Sequence, residues 1–151
     1  MMLPIKVDHE IAIITQSLTQ QGDSKRAQGE KKYLKSNLQF FGVTTPIKRK
    51  IAKDWYRLHQ KADLDQIIPL IETLWQSPWF EHRSIALELL SLTSNQLNPK
   101  HLSLIETLIS TTNTWAELDF VATDLIGTLI SNYPQTINQL SVWINSPNFW
   151  I

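Results

Sequence analysis

The chain has 151 residues, 42% of them hydrophobic, which is enough for one domain, 1–151, with a real core. It holds no cysteine, which excludes a disulfide framework, a thiolate metal site and a cysteine nucleophile and suits a cytoplasmic setting. Net charge is zero, yet residues 1–61 carry 12 Lys/Arg against 5 Asp/Glu (+7) and residues 62–151 carry 2 against 9 (−7), so a basic half suited to a polyanion precedes an acidic half.

Apolar residues recur at spacings of three and four, and alternating β-branched runs are absent, so every element is predicted helical. The first helix spans about 8–21; the segment before it has no basic region ahead of a long apolar run, so no signal peptide is expected. Helices follow at about 24–37, 46–60, 64–76, 79–93, 99–110, 114–131 and 134–145. Asp8, Ser24, Asp63 and Asn98 are the cap candidates, and Pro46, Pro99 and Pro134 fit first-turn positions. None of these segments approaches the roughly 18 apolar residues of a membrane span, so no membrane partner is expected.

The helices repeat. Leu70-Ile71-Glu72-Thr73-Leu74 recurs as Leu104-Ile105-Glu106-Thr107-Leu108, an offset of 34. Ala86, Glu88, Leu89 and Leu90 answer to Ala122, Asp124, Leu125 and Ile126 at an offset of 36. Ile68, Ile71, Leu74, Ser77 and Pro78 answer to Ile137, Leu140, Trp143, Ser146 and Pro147 at an offset of 69. Two-helix units at this period predict an all-α fold, an α-solenoid of stacked antiparallel helix pairs (an α-α superhelix). The third unit reads as incomplete, leaving the apolar face of 134–145 (Ile137, Leu140, Trp143, Ile144) uncovered and prone to self-association.

Two segments carry candidate chemistry. In Tyr33 to Lys50 a basic helix enters a loop with Gly42, and a second helix starts near Pro46 with Thr44 or Thr45 as cap. Helix-start amides with Lys48, Arg49 and Lys50 make a phosphate contact; the competing reading is a corner with a solvated basic face. In Thr114-Trp115-Ala116-Glu117-Leu118-Asp119, Trp115 and Asp119 are four apart and share one helical face. An aromatic plate beside a carboxylate can hold a cation and steer water toward a carbon becoming positive. His9, His59, His82 and His101 lack metal-ligand spacing and read as surface or helix-end residues, so no metal is expected.

Three stretches, in order, resemble the DNA alkylation repair family of HEAT-like glycosylases. They are Tyr33-Leu34-Lys35 through Phe41-Gly42-Val43-Thr44-Thr45-Pro46 and Arg49; Leu74-Trp75 with Glu81-His82-Arg83-Ser84-Ile85-Ala86-Leu87-Glu88-Leu89-Leu90; and Leu108 through Trp115 with Asp119 and Gly127. Trp143-Ile144 with Asn148-Phe149-Trp150 is similar to a fourth, so the resemblance covers about residues 24–151. It implies stacked helical pairs cradling duplex DNA with alkylated bases, and excision of cationic N3- or N7-alkylated purines without metal or cofactor. Trp115 would lie against the lesion nucleotide and Asp119 would be the catalytic carboxylate. Lys31, Lys32, Lys35, Thr44, Lys48, Arg49, Lys50 and Arg83 would face DNA. In the family an Arg and a further aromatic wall come after the Phe-Trp turn, beyond Ile151 here, so truncation and weakened activity are expected. The alternatives are a non-catalytic DNA-binding solenoid and a protein-interaction scaffold.

Overall fold

The computed structural model describes residues 4–151, which pack as two compact units, 4–93 and 94–151. Among the described residues all regular structure is helical apart from one isolated bridge between Gln39 and Trp79.

The first unit contains α1 (Val7–Gln21), α2 (Ser24–Leu34), α3 (Thr45–Leu58), α4 (Leu64–Trp75) and α5 (Phe80–Leu92). α4 and α5 form an antiparallel pair, and α1 and α3 pack against them. Leu64, Ile67, Leu70, Ile71, Leu74 and Trp75 bury one stripe of α4, the 3–4 spacing the sequence shows. α5 is different: Phe80, Glu81, His82 and Arg83 are all buried in succession, so its first turn is enclosed on every side. Burying each large aliphatic chain contributes about 1.5–3 kcal/mol, so the α4–α5 pair, with eight fully buried Leu and Ile among its residues, is the mechanical centre of this unit.

The second unit starts with short 3₁₀ turns at Ser94–Gln96 and Pro99–His101, then α6 (Leu102–Ser110), α7 (Trp115–Phe120), a π-helical turn Val121–Ile126, α8 (Gly127–Asn132), a 3₁₀ turn Pro134–Thr136 and α9 (Ile137–Trp143). The helix expected at 114–131 is therefore one continuous rod that changes hydrogen-bond pattern, with the Gly127 amide reaching back to the Ala122 carbonyl.

The repeat is visible in side-chain chemistry as well as in letters. Thr73 and Thr107 each donate a hydroxyl hydrogen bond to the carbonyl four residues back, at 2.8 and 3.0 Å. Ser77 and Ser146 each accept from the amide two residues on, at 3.1 Å in both cases. These Ser-Pro turns end the first helix of their pairs in the same way.

Two cap expectations hold and two need correction. Asp63 and Asn98 cap α4 and the 3₁₀ turn at Pro99, each with a reciprocal capping box. Asp8 lies inside α1, whose N-cap is Lys6, and Ser24 is the first residue of α2, capped instead by Asp23 through the Arg26 amide at 2.7 Å. The uncovered apolar face also differs from expectation. Ile137 and Ile144 are 55% and 82% exposed, but Trp143 is 6% exposed and donates its indole N–H to Glu106 Oε2 on α6 at 3.1 Å. Trp143 is thus covered within its own unit, because α6 supplies both apolar surface and an acceptor.

Candidate nucleic-acid interface and catalytic pair

The loop between α2 and α3 is set from below by a buried carboxylate. Glu81, fully buried, accepts hydrogen bonds from the amides of Phe41 (3.0 Å), Gly42 (2.9 Å) and Val43 (3.3 Å). Gln39 adds two backbone bonds of 2.8 Å, to Pro78 and from Phe80, while Phe41 stacks on Trp79 with centroids 3.9 Å apart. Gly42 has φ +80°, and a Cβ there would meet the Asp23 carbonyl oxygen at 2.0 Å. The loop amides are therefore spent on Glu81, and a phosphate cannot use them. What the loop does is fix where α2 ends and α3 begins.

Around that loop the expected cations divide into two groups. Lys31, Lys32 and Lys35 are exposed at the end of α2, where Lys35 itself takes a left-handed conformation (φ 51°) as C-cap. Arg49 and Lys50 are exposed on α3 but paired, Arg49 with Glu88 at 3.3 Å and Lys50 with Asp54. Thr44 is the half-buried N-cap of α3, without a side-chain capping bond.

Lys48 and Arg83 turn inward, correcting their place on a solvent-facing basic surface. Lys48 is 7% exposed, with its ammonium 3.3 Å from Ser84 Oγ and 4.7 Å from the Phe80 ring. Burial pushes its pKa down against the pull of Glu81 and other carboxylates. Lys48 lies four before Ala52 and seven before Trp55, in phase with the buried stripe of α3, which is the signal that marks it as inward. Arg83 is 7% exposed, its guanidinium 3.9 Å above the Trp75 ring, a cation–π contact inside the unit.

His82 and His101 stand at helix starts, as one of the two expectations had it, but both are buried, at 5% and 4% exposure. His82 sits between Thr15 Oγ1 (2.8 Å) and Ser77 Oγ (2.6 Å). Thr15 already donates to the Ile11 carbonyl, so it accepts from His82 Nε2–H, and Nδ1 accepts from the Ser77 hydroxyl. This is a neutral imidazole, and burial holds its pKa below the ordinary value. The unfolded chain takes up this proton as pH falls through about 6.5 while the folded chain resists it, so His82 lowers stability progressively below that pH. Urea unfolding between pH 8 and 5 is expected to show that loss, and a His82→Gln variant a flatter slope; equal slopes would remove His82 from the pH response.

The expected catalytic pair stands on α7. Trp115 and Asp119 are its first and fifth residues, four apart on one face, and both are exposed, Trp115 by 47%. The helix start beneath them is tightly built. Thr114 accepts from the Glu117 amide at 3.3 Å, and Glu117 Oε2 accepts from the Asn113 and Thr114 amides at 2.7 and 3.4 Å. Thr114 and Glu117 are both 2% exposed. Thr114-Trp115-Ala116-Glu117 is a capping-box pattern legible in the letters, and it fixes the first turn from which Trp115 projects. Glu117 is 36 residues after Glu81: in both units a buried first-turn glutamate collects amides from a loop. Among the described residues there is no cluster of three or more side chains suited to a metal, and no helix is long and apolar enough to cross a membrane.

Comparison with known proteins places the chain. A family model described as DNA alkylation repair enzyme matches residues 14–151, and the chain belongs to that family. Its fold is similar to that of a structure described as a predicted DNA alkylation repair enzyme from Enterococcus faecalis, with a TM-score of 0.76 and 15% sequence identity over 86% of this chain. The chain spans 61% of the length of that relative. The all-α solenoid class expected from the repeat is therefore the fold observed. No curated protein matches the chain.

Proposed function

We propose that the chain serves DNA alkylation repair as a glycosylase-type protein that holds duplex DNA and releases cationic N3- or N7-alkylated purines. The observation that carries this reading is the exposed Trp115–Asp119 pair on a capped helix start in a chain of this family. An alkylated purine already bears positive charge, so it leaves without a general acid. The sugar carbon becomes oxocarbenium-like, and a carboxylate stabilises it and orients water. Trp115 offers its π-face to the cationic base, worth roughly 0.5–2 kcal/mol. The assay is release of 7-methylguanine or 3-methyladenine from methylated duplex. Asp119→Asn is expected to slow release by about 100-fold through lost charge stabilisation. Release untouched by that change would leave DNA binding without catalysis as the reading to pursue.

On the DNA side, the exposed Lys31, Lys32 and Lys35 supply the phosphate contacts in this reading, with Arg49 and Lys50 able to exchange carboxylate partners for phosphates. Changing Lys31, Lys32 and Lys35 to Gln is expected to weaken duplex binding for any sequence and to flatten its salt slope by about 3. An unchanged slope would assign these lysines to solvation alone.

The second unit also exposes Val142 and Phe149 (63% and 89%) beside Ile137 and Ile144. This apolar surface is proposed to drive self-association. Light scattering after size exclusion is expected to show mass rising with concentration and falling in an Ile144→Lys, Phe149→Lys variant; a monomer at every concentration would refute it.

A further inference from the structure

At the α1–α3 corner of the first unit lies a cleft of about 730 Å³, bordered by Lys6, His9, Glu10, Arg57, His59 and Lys61. The function above uses none of these groups. Glu10 is the acid among them, and its partners lie in the same corner. His59 Nδ1 is 2.8 Å from the Trp55 carbonyl, which can only accept, so Nδ1 carries a proton. Nε2 faces Glu10 Oε1 at 3.5 Å. The other Glu10 oxygen takes the Trp55 indole N–H at 2.8 Å, and the His59 ring stacks on Trp55 with centroids 4.0 Å apart. Glu10, 8% exposed, thus turns one oxygen to Trp55 and the other to His59, and the cleft's Lys and Arg side chains outnumber it.

Three cations then set the field. Lys6 and Lys61 form no ion pair among the described residues, and Arg57 reaches only Asp54, at 3.7 Å in an exposed pair worth little. Ile5 and Leu58, the latter 82% exposed, give the cleft an apolar side. Its volume matches a ligand of mononucleotide size. We propose that this cleft binds a small organic phosphate monoester, with Lys6, Arg57 and Lys61 on the phosphate and the organic body against Ile5 and Leu58. The same phosphate chemistry could come from a free small molecule or from a DNA backbone; the free monoester is favoured because a cleft with an apolar wall rewards a compact body that a continuous diester strand does not present.

Phenyl phosphate, titrated into the full chain and followed by calorimetry and by the imidazole signals of His9 and His59, tests this. Saturable binding is expected, with inorganic phosphate as a weaker competitor. A Lys6→Gln, Arg57→Gln, Lys61→Gln variant should lose at least about tenfold in affinity, some 1.4 kcal/mol, while the Lys31, Lys32, Lys35 variant should bind as before. His59→Phe keeps a ring on Trp55 but removes the nitrogen that faces Glu10 Oε1, and it too should weaken binding. Absence of saturable binding, or binding indifferent to the triple variant, would overturn the site. Displacement of phenyl phosphate by an unmodified duplex would overturn the small-molecule reading and make the cleft part of the DNA track. Loss of methylpurine release in Asp119→Asn bears on the glycosylase reading alone.

Discussion

Glu81→Ala is expected to destabilise the first unit by roughly 3–5 kcal/mol, because three amides lose their acceptor at about 1–3 kcal/mol each and water entering the space offsets part of that. Phe41, Gly42 and Val43 all depend on this one side chain, and a fully buried site leaves them few alternatives. Glu81→Gln retains one acceptor oxygen and should fall between. Tryptophan fluorescence with circular dichroism in urea measures both variants, and Trp55, Trp75 and Trp79 report on this unit. A loss under 1 kcal/mol would mean that the carboxylate is a passenger in a loop held by Gln39 and the Phe41–Trp79 stack.

Gly42→Ala is expected to be at least as damaging, for a steric reason. A methyl group would stand 2.0 Å from the Asp23 carbonyl oxygen and 2.8 Å from the Ala27 amide, and both atoms are backbone in the first turn of α2. The left-handed φ of +80° adds about 1–2 kcal/mol for any residue with a Cβ. Relief requires α2 to move away, which breaks the bonds from the Asp23 amide to the Phe41 and Gly42 carbonyls. The prediction is a loss of several kcal/mol, or failure to fold, read from the same urea curves. Because Gly42 and Glu81 share a hydrogen bond, the double variant should cost less than the two single losses together. Full additivity would show that the two act through separate parts of the fold. Gly29, with open space around its Cα, is the control whose replacement by Ala should be harmless.

Much of the architecture is legible in the letters, because helical periodicity and a repeated unit are one-dimensional signals. The match of 70–74 with 104–108 falls on α4 and α6 in equivalent roles, and the predicted helix limits lie within a few residues of those observed. Charge is where one dimension fails. A lysine or arginine is counted as surface by composition, yet Lys48 and Arg83 spend their cations on Ser84, Phe80 and Trp75 inside the fold. The buried acids Glu10, Glu81 and Glu117 are equally hidden from composition, since their partners lie 45, 40 and 4 residues away or less in loops and other helices. For Lys48 the phase with Ala52 and Trp55 discloses the burial; for Glu81 nothing local does, because its acceptor role depends on a loop brought in from the preceding pair. The Trp115–Asp119 spacing is legible, and so is the cap beneath it, since both are local to one helix.

The π-helical turn at Val121–Ile126 has a bearing on which face of the rod is buried. Leu125 and Ile126 at its end and Leu129 beyond it are buried like their counterparts Leu89 and Leu90 in α5 and Thr93 just after it, whereas Ala122, Thr123 and Asp119 before or within it are exposed where Ala86, Leu87 and Arg83 are buried. The wider turn offsets the phase of the rod, so the face it buries after Val121 need not be the continuation of the face that is buried before it. A uniform α-helix would instead carry one buried stripe along its whole length, and Ala122 and Thr123 would fall where Ala86 and Leu87 do.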